Sequence, residues 1–298
     1  MRKELIILSG FLGSGKTTVL RNLLKLCATR KVAVLLNDFG EIPVDGAILR
    51  QDGVDNGMVV EIGGGSVFCA CLRESFVTSM IEMSKREEDL VIVEASGMSD
   101  PSSIDKMLSL SGLDKFFDHT STICLFDPVK SLKLASVLEV IPRQLASATV
   151  AVITKCDLAD AIEINKAKDY ISSKQPDLPV ILSYNGQIAL DTLPKRACKA
   201  FAFSFNTPET RPDSFVITSK VSSAEELIAV LEAHEEVLRV KGMVNTDNGS
   251  WFISDTGRTI EKRTADMDVP LTVICMQGTS KKIINILQDK NIVLSAKE

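Results

Sequence analysis

Along the first two hundred positions, apolar residues arrive in short unbroken runs separated by stretches of helical period. The runs cover residues 5–9, 32–37, 90–94, 121–126, 150–154 and 180–183. Most are continuous and do not alternate with polar residues, which predicts strands buried on both faces, as in a parallel sheet. Between the first two, residues 18–27 place Val19, Leu20, Leu23 and Leu24 on one helical face. Strand and helix in alternation predict a doubly wound α/β domain with a mostly parallel sheet.

The pattern changes at residues 206–213, a linker-like stretch holding Pro208 and Pro212. Beyond it the chain predicts a strand over 215–221 and a helix with Ala224, Leu227, Ile228, Leu231 and Leu238 on one face. Ser222 or Ser223 is its expected N-cap, with Glu225 and Glu226 in the first turn. Strands over 238–244, 251–254, 259–263 and 271–276 follow, then a helix over 281–288 and a tail. The expected domains are 1–206 and a small α+β domain at 212–298.

Composition narrows the function classes. The chain has 298 residues, 45% hydrophobic and 24% charged, with a net charge of -5. Those are globular values. Neither side of Thr210 is basic, so nucleic acid is not the expected partner. No apolar run approaches the roughly 20 residues of a membrane-spanning helix. Arg2 and Lys3 before Leu5-Ile6-Ile7-Leu8 faintly resemble a signal peptide, but Glu4 interrupts the basic start and glycines end the apolar run. The expectation is a cytoplasmic protein. Its seven cysteines, odd in number and irregular in spacing, read as thiols and not as a disulfide framework.

Gly10-Phe11-Leu12-Gly13-Ser14-Gly15-Lys16-Thr17 fits the pattern G-x-x-x-x-G-K-[ST], between a predicted strand and a predicted helix. Glycines let successive backbone amides turn inward as an anion nest, and the helix N-terminus adds a positive dipole end. Lys16 suits the β- and γ-phosphates, and the Thr17 hydroxyl suits Mg²⁺. Val91-Ile92-Val93-Glu94 ends an apolar strand in a carboxylate, a position that holds Mg²⁺ or its water in phosphate-loop proteins. Gly97 follows as a flexible point beside the γ-phosphate. Thr154-Lys155-Cys156-Asp157 follows another apolar strand and resembles the [NT]-K-x-D base-recognition element. An aspartate at Asp157 can accept from the guanine N1–H and amine together, a donor pair adenine lacks. The Lys155 stem can cover the base face. Ser183-Tyr184-Asn185-Gly186 suits a loop closing over the guanine oxygen.

This ordered set resembles the CobW-type GTPases, relatives of the nickel-insertion GTPases for urease and hydrogenase. The matching residues are Gly10 to Thr18, Asn37-Asp38-Phe39-Gly40-Glu41 with Val44-Asp45, Glu94-Ala95-Ser96-Gly97-Met98-Ser99-Asp100-Pro101, Gln144, and Thr154 to Asp157. Leu238-Arg239-Val240-Lys241-Gly242 is similar to the family's R-x-K-G strand. The resemblance covers nearly the whole chain. It implies a P-loop NTPase domain that hydrolyses GTP with Mg²⁺, a smaller C-terminal domain, and a role in metal delivery or cofactor assembly.

Three departures stand out. The family's G-C-x-C-C-x-L motif is here Gly65-Ser66-Val67-Phe68-Cys69-Ala70-Cys71-Leu72, one residue longer and with two thiols. Thr154 replaces the usual Asn. The chain has two histidines, His119 and His234, and no His-rich tract.

Two thiolates two residues apart can still ligate one soft or borderline ion, with Gly63-Gly64-Gly65 giving the loop freedom. The family pattern implies that Asp38 or Glu41 completes the site, which suits Zn²⁺ or Co²⁺; redox or structural thiols are the alternative. Cys27, Cys124, Cys156, Cys198 and Cys275 sit singly in apolar patterns and read as buried small hydrophobes. No Gln or Arg stands out as a water-positioner, so slow intrinsic turnover is expected, raised by a partner or by metal, with Asp38 or Glu41 a candidate to orient the water.

The reading is a GTP-driven metallochaperone serving a client metalloprotein or cofactor-assembly enzyme. A GTPase that activates a corrinoid or other metalloenzyme without carrying metal, and a small-molecule kinase, remain alternatives. A homodimer stays open.

Overall fold

A computed structural model describes residues 2–27, 29–37, 59–62, 73–189, 193, 212–255, 259–264, 269–293 and 296–297. The chain divides into two compact units, Met1–Phe205 and Asn206–Glu298.

In the first unit the strands are β1 (Lys3–Gly10), β2 (Val32–Asn37), β3 (Val59–Ile62), β4 (Leu90–Glu94), β5 (Phe117–Phe126), β6 (Val150–Ile153) and β7 (Val180–Leu182). They form one sheet in the order β3-β2-β4-β1-β5-β6-β7, and every pairing in it is parallel. The helices are α1 (Lys16–Leu26), α2 (Arg73–Ser84), α3 (Ile104–Leu110), α4 (Lys130–Leu134), α5 (Val140–Ala146) and α6 (Ala161–Lys174).

The unbroken apolar runs have a geometric cause. Successive side chains of a strand point to opposite faces. Leu5 and Ile7 of β1, Ala33 and Leu35 of β2, and Val91 and Val93 of β4 pack with Phe76, Met80 and Met83 of α2. Ile6, Leu8, Val34, Leu36 and Ile92 pack on the other face with Val19, Leu20 and Leu23 of α1. Both faces are covered, so neither tolerates polar residues. The doubly wound P-loop architecture read from the sequence is the one observed.

The second unit contains β8 (Asp213–Ile217), α7 (Ala224–Glu232), β9 (Val237–Thr246), β10 (Gly249–Asp255), β11 (Ile260–Thr264), β12 (Leu271–Cys275), α8 (Ser280–Asp289) and β13 (Ala296–Lys297). Its sheet runs β11-β10-β9-β12-β8-β13, with antiparallel pairings. Leu227 and Leu231 of α7 and Ile283 and Leu287 of α8 pack with Val240, Val244, Leu271 and Val273.

Three expectations change. Leu238 does not belong to the helical face: α7 ends at Glu232, Val237 N–H donates to His234 O at 3.0 Å, and β9 begins. Glu235 and Glu236 favour helix locally, but Arg239 and Val240 pair with Ile274 and Val273 of β12, and tertiary pairing overrides propensity. The tail carries β13, which adds to the edge of β8. β3, too short to stand out, adds a seventh strand to the parallel sheet. Of the two N-cap candidates it is Ser223, accepting from Glu226 N–H at 3.2 Å.

Candidate functional site

Parallel pairing brings the carboxyl ends of β4, β1, β5 and β6 side by side. Leu8 of β1 is in register with Glu94 of β4, and Gly10 with Leu125 of β5. Phe126 is in register with Ile153 of β6. In open α/β sheets this edge is where ligands bind.

The loop after β1 is shaped by glycine. Gly10, Gly13 and Gly15 have φ of 135°, 77° and 93°. A Cβ on Gly10 would meet Ser14 Oγ at 2.8 Å and Leu125 Cβ at 3.0 Å. Gly15, in the left-handed region, is the N-cap of α1 and has no side chain to satisfy the first-turn amides. A helix N-terminus without a side-chain cap suits an anion. Lys16 is buried, and its Nζ donates to Gly10 O at 2.9 Å and Phe11 O at 3.2 Å, so the ammonium folds back over its own loop. Ser14 Oγ is buried with no hydrogen-bond partner among the described residues. An orphaned hydroxyl inside a cradle of amides fits a polar ligand.

Thr17 Oγ1 donates to Glu94 Oε1 at 3.2 Å, and Glu94 is buried at the end of β4. A hydroxyl and a carboxylate in contact beside the loop are hard oxygen donors, the set a Mg²⁺ ion takes. The segment after Glu94 is buried throughout and tied down at several points. Ser96 N–H donates to Asn37 Oδ1 at 3.3 Å, and Met98 N–H to Ser96 Oγ at 3.3 Å. Gln144 Nε2 donates to Gly97 O at 3.1 Å and Ser99 O at 2.9 Å. Gly97 lies against the phosphate loop itself: a Cβ there would fall 2.6 Å from Leu12 N and 2.8 Å from Leu12 Cα. Any shift of the Glu94–Gly97 segment is therefore felt by the loop.

On the β6 side, Thr154 is buried and its hydroxyl donates to Ser14 O at 2.8 Å. It is a strut between the two loops. Lys155 has φ 54°, and its Nζ donates to Asp127 Oδ2 at 2.7 Å. Asp127 Oδ1 accepts from Val129 N–H at 2.9 Å and Lys130 N–H at 3.0 Å. Asp157 is exposed, and its Oδ1 accepts from Asn185 N–H at 2.7 Å. Asn22 Nδ2 of α1 donates to Asn185 O at 3.0 Å, and Gly186 packs over Thr18. Ser183 is buried; its carbonyl accepts from Cys156 N–H at 3.1 Å, and its Oγ has no hydrogen-bond partner among the described residues.

The structure thus brings together Gly13, Ser14, Gly15, Lys16, Thr17, Glu94, Gly97 and Thr154 around the loop, with Lys155, Asp157, Thr18 and Ser183 along the β6–β7 rim. Asp38, Glu41, Cys69, Cys71 and Cys198 lie outside the described residues. Among the described residues no group of three or more His, Cys, Asp or Glu side chains converges on a metal position. His119 bridges Asp105 Oδ1 at 2.7 Å and Thr122 Oγ1 at 3.0 Å in a buried structural role. His234 lies 3.7 Å from Glu236.

Cys27, Cys124, Cys156 and Cys275 are buried thiols outside any disulfide. Burial pushes the Cys124 thiol up to about 12, against a smaller lowering from Lys16. It also raises Cys27 and Cys156. These are packing thiols. Asp127 is the functional candidate that sequence reasoning missed, although it ends the apolar run of β5 as Glu94 ends β4.

Residues 4–182 match the family model described as the CobW/HypB/UreG nucleotide-binding domain. A zinc chaperone CobW from a Sinorhizobium species is 26% identical over 211 residues, covering 61% of this chain and 59% of its own length. The zinc chaperone YjiA of Escherichia coli is 25% identical over 273 residues, covering 81% of each. The zinc-regulated GTPase metalloprotein activator 1 of Dictyostelium discoideum is 26% identical over 220 residues, covering 62% of this chain and 46% of that one. The chain thus spans about three fifths of the first curated relatives it matches. A crystal structure of a zinc-bound triple mutant of the YjiA GTPase shares the fold, with a TM-score of 0.50 at 18% identity over 97% of this chain and 99% of that one. Among the described residues no helix is long and apolar enough to cross a membrane.

Proposed function

This chain belongs to the CobW/HypB/UreG family, and from that premise we propose that it is a Mg²⁺-dependent GTPase coupling the nucleotide cycle to the holding and release of a transition metal, Zn²⁺ or Co²⁺, for a client protein. The observation that carries the nucleotide reading is the convergence at one sheet edge. The glycine loop, the Thr17–Glu94 contact and the Thr154 strut all meet there.

In this reading the 1–206 domain carries the chemistry. Amides of Gly13, Gly15 and the first turn of α1 cradle the phosphates. Lys16 turns from the Gly10 and Phe11 carbonyls toward the β- and γ-phosphates and steadies the charge that spreads as water attacks. Thr17 and Glu94 would hold Mg²⁺, which would supply positive charge to offset that of the phosphates. Asp157, oriented by Asn185, selects guanine, because adenine would leave its carboxylate unmatched. Ser183 offers a hydroxyl near that rim. Gln144 is engaged with the Gly97 and Ser99 carbonyls, which suits a positioning role and not water activation. Slow intrinsic turnover follows, with Asp38 or Glu41 as the candidates to orient water.

The metal arm rests on Cys69 and Cys71, with Asp38 or Glu41, and on the names of the relatives. Residues 38–41 follow β2, whose last residue Asn37 already touches Ser96. Closure of the Gly97 segment on a γ-phosphate would reach that loop through one hydrogen bond. The client is a metalloprotein or a cofactor-assembly enzyme, met in the cytoplasm.

Titration of the reduced protein with Zn²⁺ and Co²⁺, with GDP and with a non-hydrolysable GTP analogue in parallel, tests the proposal. The expected result is one-to-one binding that tightens with the GTP analogue and is lost in a Cys69→Ser, Cys71→Ser variant, with a thiolate charge-transfer band for Co²⁺. Equal metal affinity in both nucleotide states would remove the coupling and leave a GTPase that acts on its client by binding alone. Preference for ATP over GTP, or transfer of the γ-phosphate to an acceptor, would overturn the GTPase reading itself.

A further inference from the structure

The phosphate loop is approached at one point by a residue that the G-x-x-x-x-G-K-[ST] pattern does not contain. Gly13 has φ 77°, and among the described residues a Cβ built on it would meet Lys130, with Nζ at 3.5 Å and Cδ at 4.0 Å. Lys130 is half-buried and opens α4 just beyond the end of β5. We propose that Lys130 is a second phosphate-binding cation of this site, contacting the phosphates of a guanosine di- or triphosphate from the Gly13 side. The inference rests on the GTP-site reading above and deepens it.

Three observations carry it. First, the placement is built and not incidental. Asp127 Oδ1 accepts both Val129 N–H and Lys130 N–H, and Ser131 Oγ accepts from Asp127 N–H at 3.1 Å. The backbone that delivers Lys130 is fixed by a buried carboxylate at the sheet edge. Second, that carboxylate already has its counter-ion. Asp127 Oδ2 takes the Lys155 ammonium at 2.7 Å. One aspartate therefore sets the base-side lysine and the phosphate-side lysine together. Third, the two loop lysines stand at different places. Lys16 Nζ lies on the carbonyls of Gly10 and Phe11, whereas Lys130 Nζ lies by Gly13. A nucleotide polyphosphate carries several negative charges, so a point-charge ammonium at each place binds it better than one alone. The glycine at 13 is explained by its backbone, since φ 77° would strain any other residue there.

The test is binding of fluorescent GDP and of a fluorescent non-hydrolysable GTP analogue to the full chain with Mg²⁺. Wild type would be compared with Lys130→Ala, Lys130→Met and Lys130→Arg, with folding followed by circular dichroism. The loss of one charge-assisted contact predicts that Lys130→Ala and Lys130→Met weaken both nucleotides about tenfold. Their affinities should also depend less steeply on salt than wild type, and Lys130→Arg should stay within about threefold. Should Lys130→Ala not fold, Lys130→Met, which keeps the stem over Gly13, carries the comparison. Lys130→Met binding within about twofold of wild type, with an unchanged salt dependence, would overturn the proposal. Failure of wild type to bind guanine nucleotides would instead overturn the proposed function, so the two failures are distinct.

Discussion

The two units bury different things. In the first, Lys16, Asn37, Glu94, Ser96, Ser99, Asp100, Asp127, Gln144 and Thr154 are buried, and with Thr17 most of them gather at or just beyond the carboxyl ends of the parallel strands. In the second, the buried polar residues among those described are Thr246, Thr272 and Ser280, with no charged side chain. Its charged pairs, Lys220 with Asp247, Lys262 with Glu225 and Lys282 with Glu236, involve exposed or half-exposed side chains. Burying a charge is costly unless it is matched. A protein that buries several at one edge of one sheet has placed its chemistry there. The second unit reads as a packed scaffold.

That contrast can be broken or sharpened in order of effect. Lys16→Ala should reduce GTP hydrolysis by roughly 10²–10³-fold, in line with removal of one preorganised charge donor. Phosphate release measures it, and a variant of near-normal rate would mean the buried charge is structural.

A matched pair of glycine substitutions comes next. Gly97→Ala drives a Cβ to 2.6 Å from Leu12 N, and nucleotide affinity should fall by about tenfold or more, with a lowered thermal midpoint. Gly242→Ala, at φ 138° and with a Cβ 2.7 Å from Leu271 Cα, should cost roughly 1–3 kcal/mol of stability, read by thermal unfolding. Its nucleotide affinity should remain that of wild type at temperatures where the variant is folded. If Gly242→Ala weakened the nucleotide as much as Gly97→Ala, the division of labour would fail.

Gln144→Ala removes two hydrogen bonds from the Gly97 and Ser99 carbonyls and should cost about 1–3 kcal/mol. It should also loosen the discrimination between GTP and GDP, measured by competition binding.

The smallest effect is alkaline. The folded Cys124 thiol ionises near 12, above its ordinary value of 9.0, so above pH 9 the unfolded chain releases a proton that the folded chain keeps. Stability is unaffected below pH 9 and falls as pH rises toward 12, by at most about 1.4 kcal/mol per pH unit. Urea midpoints at pH 8 and pH 10 would show it, and Cys124→Ala should flatten the difference. Iodoacetamide at pH 8 should leave Cys124 of the folded protein unmodified.

Much of the first unit was legible because its constraints are local in sequence. The runs at 32–37 and 90–94 have the observed limits of β2 and β4, since strands covered on both faces admit only apolar residues. The glycine loop was legible because positive φ at Gly10, Gly13 and Gly15 needs glycine. The second unit was harder. Leu238 looks equally at home after a helix rich in glutamate and at the head of a strand, and pairing with β12 decided it. β13 is two residues long and exists through β8.

By itself the sequence determined the alternation of strand and helix, the identity of the phosphate loop and the carboxylate that ends β4. Those follow from periodicity, burial on both faces and backbone conformations that few residues can adopt. Tertiary structure alone decided who meets whom across the chain. It set Thr154 on Ser14, Gln144 on Gly97, Asp127 between two lysines and Lys130 over Gly13. Such contacts join residues that are up to 140 positions apart. They depend on strand order and register, which hydropathy does not encode, because any permutation of buried strands satisfies the same apolar pattern.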